Sequence, residues 1–261
     1  MLTYPNFDPV IISIGPLQIR WYGLMYIVSF FCALFIAKRY LKEIGLDEKI
    51  HFLENLLFYS FLGLIIGARL GFCFFYYPDY FLANPLEILK VWKGGMSFHG
   101  GLIGALIAGF AYIKKSKENF LFWADVVVIP APLGLFFGRI GNFINGEIYG
   151  KPTDLPWGMI FPDGGPVPRH PVQLYESITT GLFLFLIMYS IRHKSLPAGA
   201  KFGLFLVLYG IFRFMFEFIR EPAQSFPLFF GWMTMGQVLC ILMVSFGITL
   251  LYLVFSRQKP V

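Results

Sequence analysis

Hydrophobic residues run through this chain in long blocks that short polar segments separate. Seven blocks have about the length that a bilayer demands of a helix, roughly 17 to 25 residues each. The blocks cover residues 20–37, 53–77, 96–113, 120–142, 173–191, 202–220 and 233–255. The pattern predicts an all-α, polytopic membrane protein with about seven transmembrane helices.

The composition supports a membrane protein. Of the 261 residues, 57% are hydrophobic and only 14% are charged, whereas soluble proteins have about 25% charged residues. The net charge of +6 does not indicate nucleic acid as a partner, because the basic residues lie in short loops and not on one clustered face. Cys32, Cys73 and Cys240 lie inside apolar blocks without metal-ligand spacing, so we expect ordinary buried or lipid-facing thiols.

The basic residues predict the topology. One set of loops is the richer in Lys and Arg. It holds Lys38, Arg39, Lys42, Lys49, Lys114, Lys115, Lys117, Arg192, Lys194, Lys201, Arg257 and Lys259. The positive-inside rule then places the N-terminus outside and the C-terminus in the cytoplasm. The N-terminal residues lack a basic stretch and a small-residue cleavage site, so no removable signal peptide is expected.

One connection differs from the other loops. Residues 144–171 are rich in Gly and Pro, too polar to span a membrane and too long for a tight turn. The segment predicts a small external cap. Because no repeat or long linker interrupts the chain, we expect one membrane-embedded domain over residues 1–261.

Charged side chains inside the apolar blocks indicate a site. A charge at membrane depth costs about 2.5 to 3.5 kcal/mol on insertion scales, so Arg69, Arg139 and Arg213 need polar partners. Tyr209, Arg213 and Glu217 recur every four residues and share one helix face. The topology brings several further polar residues to the outer ends of their blocks, namely Tyr22, His99, Arg139, Asn142 and Glu176. A polar cavity open to the outer leaflet explains this set, although ion pairs such as Arg213 with Glu217 could also be purely structural.

Glycines surround one of these residues. The run GGMSFHGGLIG, Gly94 to Gly104, has five glycines around His99. Glycines allow a backbone to approach either another backbone or a ligand closely. Both explanations stay open at this point.

Five motifs carry a family resemblance. They are GRIGNFINGEIYG (Gly138–Gly150), RWYGLMY (Arg20–Tyr26), FHGGLIG (Phe98–Gly104), HPVQLYE (His170–Glu176) and YGIFRFMFEFIREP (Tyr209–Pro222). These motifs follow one another along the chain at 20–26, 98–104, 138–150, 170–176 and 209–222. With all five in that order and over nearly its full length, the sequence resembles the prolipoprotein diacylglyceryl transferases of bacteria.

The resemblance implies an activity and a location. Members of this family move a diacylglyceryl group from phosphatidylglycerol to the lipobox cysteine of a prolipoprotein, which forms a thioether and releases glycerol phosphate. They are inner-membrane proteins with seven spans and an outside N-terminus. The partners implied are membrane lipid and a prolipoprotein signal peptide, with no cofactor, metal or nucleic acid.

The resemblance also implies the site residues. Arg139 and Arg213 match the essential arginines of the family. Its other functional positions match His99, Tyr22, Asn142, Glu147, Gly150, Glu176, Tyr209 and Glu217.

The residue types suit this chemistry. The leaving phosphate gains charge, and arginine offers planar paired donors that stay charged in an apolar setting. We expect His99 to be the base that ionises the thiol, or else to orient lipid or peptide while the arginines ionise it. Glu176 and Glu217 are expected to neutralise and orient the arginines.

Several roles stay open. Tyr22, Tyr209 and Asn142 could hydrogen-bond either the lipid headgroup or the arginines. The cap, with Trp157 and Arg169, could guide the prolipoprotein or be a simple solvated loop.

Two other functions fit the sequence less well than transfer. A transporter or channel would place polar residues across both leaflets, whereas the inner half of this chain holds little beyond Glu54 and Asp125. An intramembrane protease would need a serine, paired-aspartate or metal motif, and none is present in the sequence.

Overall fold

The computed structural model describes residues 2–15, 17–91, 94–221 and 232–257. Lys259 and Pro222, which the topology and motif arguments used, lie outside the described residues. Within that part the chain is mostly helical. The helices are α1 (Trp21–Glu43), α2 (Ile50–Tyr76), α3 (Pro78–Ala83), α4 (Phe98–Lys115), α5 (Phe120–Val128), α6 (Ala131–Ile144), α7 (Val172–Glu176), α8 (Leu184–Ser190), α9 (Ala200–Glu217) and α10 (Met235–Ser256).

Not all of these helices qualify as membrane spans by length and hydropathy. In the described residues, four stretches do: Trp21–Glu43, Asp47–Tyr76, Val172–Ser190 and Met235–Ser256. A fifth is present if α5 and α6 are taken as one broken span, bent by 45°. The hydrophobic block predicts a single helix over 120–142. Pro130 lies at the break, where its ring and missing N–H interrupt the helix.

The all-α prediction needs one correction, because short strands are present. β2 (Val10–Ile14) pairs with β3 (Leu17–Arg20) in an antiparallel hairpin. β1 (Leu2–Thr3) pairs in parallel with β4 (Met159–Ile160), which lies in the predicted cap. The hydrophobic blocks could not indicate these strands, since each is far shorter than a membrane span.

The chain forms two compact units, Leu41–Trp123 and the remainder, Met1–Tyr40 with Ala124–Val261. In the first of these, α2 and α4 pack backbone to backbone. A Cβ atom on Gly100 would meet the backbone of Gly67 and Gly71, and one on Gly104 would meet that of Gly63 and Gly67. Of the two explanations for the glycines before and inside α4, close helix packing therefore accounts for Gly100 and Gly104.

The larger unit holds the predicted arginines and carboxylates other than Arg69. Its buried core includes Leu184 and Met188 of α8 with Val128 of α5. At α10, the Thr234 hydroxyl accepts from the Gln237 amide while the Gln237 side chain accepts from the Thr234 amide. This reciprocal cap satisfies N–H groups that the first helical turn leaves without partners.

Candidate active site

Two arginines from distant parts of the sequence share one carboxylate. Arg139 Nε lies 2.5 Å from Glu176 Oε2, and Arg213 Nη1 lies 3.6 Å from Glu176 Oε1. Arg213 Nη1 also lies 2.5 Å from Glu217 Oε2. The Glu176 side chain is only 1% exposed. The result is a buried network in which two cations and two anions alternate.

Local helix geometry prepares parts of this network. Arg213 and Glu217 lie four residues apart on α9, and Arg139 donates to Asn142 Oδ1 at 3.1 Å across three residues of α6. Such spacings bring side chains together on one helix face. Glu176 ends α7 at the point where a π-helical stretch, Ser177–Phe183, begins. Stretches of this kind often occur at functional sites.

The ion pairs hold charge without well-aligned hydrogen bonds. Both Glu176 carboxylate oxygens, Glu217 Oε2 and Arg213 Nη1 are buried and have no hydrogen-bond partner in the described part of the chain. A buried charge that is paired but not fully hydrogen-bonded is costly. The charges of this network are therefore balanced mainly by ion pairing.

A second polar network continues from Asn142 into the glycine-rich run. Asn142 Nδ2 donates to Glu147 Oε1 at 2.8 Å, and Asn145 Nδ2 donates to the same oxygen at 3.2 Å. Gln173 Nε2 donates to the Glu147 carbonyl at 2.6 Å. Glu147 is thus fixed by three amide groups, and Asn142 links it to Arg139.

The end of the run is sterically constrained. Ile148 has a φ of +62°, a conformation that a β-branched residue adopts only at a cost of about 1 to 3 kcal/mol. The Gly150 amide donates to the His170 carbonyl at 2.8 Å, and a Cβ atom there would lie 2.6 Å from the Ile219 carbonyl oxygen. Gly150 is required by close backbone packing, and a contact between it and substrate stays a prediction.

The N-terminal segment contacts the glycine-rich run, Gly138–Gly150, at the end of α6. The Tyr4 hydroxyl lies 2.8 and 2.6 Å from the carbonyl oxygens of Phe143 and Ile144 at the end of α6, and it can donate its one proton to either. Burial raises the pKa of Tyr4, so this donor keeps its proton. The sequence analysis assigned no role to Tyr4.

The predicted tyrosines lie in the same unit. The Tyr22 hydroxyl is 3.1 Å from that of Tyr26, and the Tyr22 ring packs against Gly141 of α6. Tyr209 lies near Arg139 and Arg213. Two roles were open for Tyr209, a contact with the arginines or with the lipid headgroup. Its position near the arginines suits the first, and contact with lipid stays a prediction.

Arg69 differs from the other two intramembrane arginines. Its guanidinium donates to four carbonyls of its own unit, those of Glu87, Ile88, Gly94 and Gly95, at 2.7, 2.9, 2.5 and 3.2 Å. The side chain is buried. Arg69 is therefore a structural clamp, and the expectation that it adds to a polar substrate layer is not supported by its contacts.

His99 lies in that same unit, at the second residue of α4. It is exposed, and its ring contacts that of Phe98 edge to face. The Ser97 hydroxyl, which accepts from the Gly100 amide, caps the helix beside it. Its role as a base stays a prediction from the sequence.

Hydrogen bonds and an ion pair join the cap to itself, to α7 and to the segment after α9. Arg169 donates to the Gly164 carbonyl at 2.7 Å and pairs with Glu221 at 2.7 Å. The Trp157 indole donates to the Tyr175 hydroxyl at 2.7 Å. Burial lowers the pKa of His170, which favours its neutral form. Arg169 is thus committed to structure, while a guiding role for Trp157 stays a prediction.

Sequence reasoning missed several residues of these networks. Gln173 and Arg220 lie inside motifs that were recognised, but neither was assigned a function. Thr234 donates to Glu217 Oε1 at 2.9 Å. The Thr-x-x-Gln spacing of Thr234 and Gln237 is a recognisable helix start. Only the fold shows that this cap contacts the carboxylate of Glu217.

The described residues contain no group of three or more His, Cys, Asp or Glu placed to hold a metal ion. The three cysteines are free thiols. The chemically distinctive groups of the larger unit are therefore its guanidiniums, carboxylates and side-chain amides.

Comparison with known proteins identifies similar sequences over nearly the whole chain. The family described as prolipoprotein diacylglyceryl transferase matches residues 9–253. A protein of Nitratidesulfovibrio vulgaris (strain DP4) is 48% identical over 96% of each chain. One of Vibrio campbellii is 49% identical over 98% of this chain and 94% of its own, and one of Methylococcus capsulatus is 48% identical over 99% and 100%. All three are named phosphatidylglycerol–prolipoprotein diacylglyceryl transferase.

Proposed function

The chain belongs to the prolipoprotein diacylglyceryl transferase family, and we propose that it transfers the diacylglyceryl group of phosphatidylglycerol to the lipobox cysteine of prolipoproteins. This is the first step of bacterial lipoprotein maturation. One structural observation carries the proposal for the site: Glu176 lies between Arg139 and Arg213, which joins the two arginines of the family motifs in one buried network.

The reaction requires stabilisation of negative charge. The cysteine thiolate forms a C–S bond to the glycerol carbon, and the C–O bond to the phosphate breaks with its electron pair on oxygen. A phosphodiester with one negative charge becomes a glycerol phosphate with two. Fixed cations in a water-poor site stabilise such developing charge without reorganisation, which is typically the largest catalytic contribution.

Arg139 and Arg213 are suited to this task. Guanidinium groups bind phosphate oxygens through paired donors and remain protonated when buried. Glu176 and Glu217 keep both cations in place before the lipid binds, since an unpaired buried charge would be destabilising. We propose that phosphate oxygens share the guanidinium donors with these carboxylates in the bound state.

The other predicted residues support this pair. Asn142 receives a hydrogen bond from Arg139 and passes one to Glu147, so we propose that both orient Arg139. Tyr209 is placed in our proposal near the phosphate because it interacts electrostatically with both arginines. We propose that Tyr22, which packs on Gly141, contacts the lipid headgroup.

His99 is proposed as the base that takes the thiol proton. A free thiol has a pKa near 8.5, so only a small fraction is thiolate at neutral pH. A positioned base typically contributes about 10²- to 10⁴-fold. His99→Gln should therefore lower the rate of transfer to a lipobox peptide by about that factor. Near-normal turnover would instead leave ionisation of the thiol to the arginines.

We also propose seven membrane spans within one domain over residues 1–261. The N-terminus would lie outside and the C-terminus in the cytoplasm of the inner membrane, as the basic loops indicate. Among the described residues, four helical stretches qualify as spans by hydropathy, or five with the bent pair, which supports a multi-pass membrane protein. The test uses a cysteine-free variant with one cysteine placed at either Asp154 or Lys117. In intact spheroplasts an impermeant reagent should label the cysteine at 154 and not the one at 117. Labelling of Lys117→Cys alone would reverse the orientation.

The decisive test of function uses purified protein, phosphatidylglycerol and a lipobox peptide. We expect equal amounts of glycerol phosphate and of peptide lipidated on its cysteine. A matched peptide with serine at that position should give neither product. Transport of an anionic solute without either product would overturn the proposal.

A further inference from the structure

Arg220 lies just beyond α9, at the edge of the arginine network. Its amide donates to the Phe216 carbonyl at 3.0 Å. Its backbone forms an isolated antiparallel bridge with Gly150, which is the last residue of the glycine-rich run. The neighbouring Lys151 amide donates to the Ile219 carbonyl at 2.8 Å. Arg220 is therefore fixed at the junction of two motifs that bear site residues.

The Arg220 side chain is partly exposed. In the part of the chain that the structure describes, no hydrogen bond or ion pair is made by its side chain. Arg139 and Arg213, in contrast, each pair with a carboxylate. A guanidinium that is partly exposed and has no partner among the described residues can accept an anion that binds from outside the protein.

The charges around Arg220 specify what it can do. Arg220 lies near enough to Arg213 and Arg139 to be repelled by them, and it is attracted less strongly by Glu176 and Glu217, so it belongs to the same electrostatic environment. Without it, the network has two guanidiniums and three carboxylates, the third being Glu147. An excess of one negative charge would repel an anionic headgroup. Arg220 removes that excess, and its donors are not already committed to a carboxylate.

We propose that Arg220 is a third cationic contact for the phosphate of the lipid substrate, and that it acts mainly in capturing the headgroup. The inference rests on the proposed function, since it assumes a phosphodiester substrate. Arg139 and Arg213 must share their donors with Glu176 and Glu217 when phosphate binds. Arg220 has no such competition, so we expect it to hold the phosphate about equally in the bound substrate and in the transition state, which lowers KM without raising kcat.

The distinction predicts a split between kinetic constants. Arg220→Gln should raise the KM for phosphatidylglycerol by about 10- to 100-fold, the usual effect of losing a hydrogen bond to a charged group. Its kcat should change little. Arg220→Lys keeps the charge but loses the planar arrangement of donors. Its KM should lie between those of wild type and Arg220→Gln. Lys151→Gln is the matched control, because Lys151 is exposed and adjacent but keeps its backbone contact.

The measurement is transfer from phosphatidylglycerol in detergent micelles to a lipobox peptide, with binding of the same micellar lipid measured separately. An unchanged KM in a folded Arg220→Gln protein would overturn the inference. The inference would also be overturned if Arg220→Gln and Arg220→Lys lost the same amount of kcat and the same amount of melting temperature as each other. That result would indicate a structural role. If wild-type protein binds the lipid but forms no product, the proposed function fails. Weaker lipid binding by Arg220→Gln than by Lys151→Gln would still support the inference.

Discussion

Arg69 and the Arg139–Arg213 pair show two ways of burying an arginine. Arg69 donates only to backbone carbonyls within its unit. Arg139 and Arg213 are held by side-chain carboxylates, and one of these, Glu176, is shared. All three arginines looked alike in the sequence, as single charges inside apolar blocks.

The difference separates structure from chemistry. Four carbonyls satisfy the donors of Arg69 and fix the turn at Gly94 and Gly95. A ligand could reach that guanidinium only by breaking backbone contacts. Side-chain carboxylates can move, and the place that each occupies beside an arginine is one where negative charge is stabilised. A carboxylate partner therefore suits an anion-binding arginine, whereas carbonyl partners are typical of a clamp.

The largest expected effect comes from changing the ion-paired arginines. Arg139→Lys and Arg213→Lys keep the charge but lose the planar donors, so each should lower kcat by about 10²- to 10³-fold. Transfer to a lipobox peptide provides the measurement. Arg20→Lys is the control, since Arg20 is exposed and bonds only to Gln18 among the described side chains. Full activity in either variant would remove the distinction between the two kinds of arginine.

The next effect is on stability and falls on the clamp. Arg69→Gln leaves most of the four carbonyls without a donor and should lower the free energy of unfolding by about 2 to 4 kcal/mol. Thermal unfolding in detergent would measure the loss as a lower melting temperature. The kcat of the protein that remains folded at low temperature should be close to that of wild type. A large loss of kcat with unchanged melting would assign Arg69 to catalysis.

A smaller effect should follow from removing the hydrogen bond that Thr234 donates to the Glu217 carboxylate. Thr234→Val removes both the cap of α10 and the hydrogen bond to Glu217. The cap alone should cost about 1 kcal/mol. Thr249→Val in the same helix is the matched control, because Thr249 bonds only to the Ser245 carbonyl on an exposed face. Equal melting temperatures and equal rates in the two variants would contradict the link between this cap and the arginine network.

The smallest effect concerns an ion pair outside both arginine sites. Glu118 pairs with Lys49 and accepts from the Trp123 indole at 3.2 Å. The hydrogen bond from Lys49 is the main reason that the pKa of Glu118 lies below its ordinary value. Both side chains are partly exposed, so Glu118→Gln should cost only about 0.2 to 1 kcal/mol at neutral pH.

The pH dependence of that difference has a definite sign. A carboxyl group whose pKa is lowered by folding stabilises the protein fully above its unfolded-state pKa. The contribution is lost as the pH falls through the lowered value. The melting temperatures of wild type and Glu118→Gln should therefore converge in acid, while the exposed control Glu48→Gln stays near wild type throughout. A difference that grows in acid would reverse this assignment.

Much of the helical framework could be predicted because membrane spans are long and apolar. The break at Pro130 and the hairpin of β2 and β3 were missed. A span of apolar residues gives no sign of a 45° bend, and two short strands do not change average hydropathy. The Arg213–Glu217 pair was predictable for a different reason, since helix geometry alone joins residues four apart.

The sequence by itself determined the apolar segments, the family and the presence of costly charges within the membrane. These follow from composition, local spacing and motif order. Tertiary structure alone decided which partner each charge has: Glu176 for Arg139 and Arg213, backbone carbonyls for Arg69, and none among the described residues for Arg220. The physical reason is that solvation and helix periodicity act along the chain, whereas the energy of a buried ion depends on atoms that packing brings near from elsewhere in the sequence.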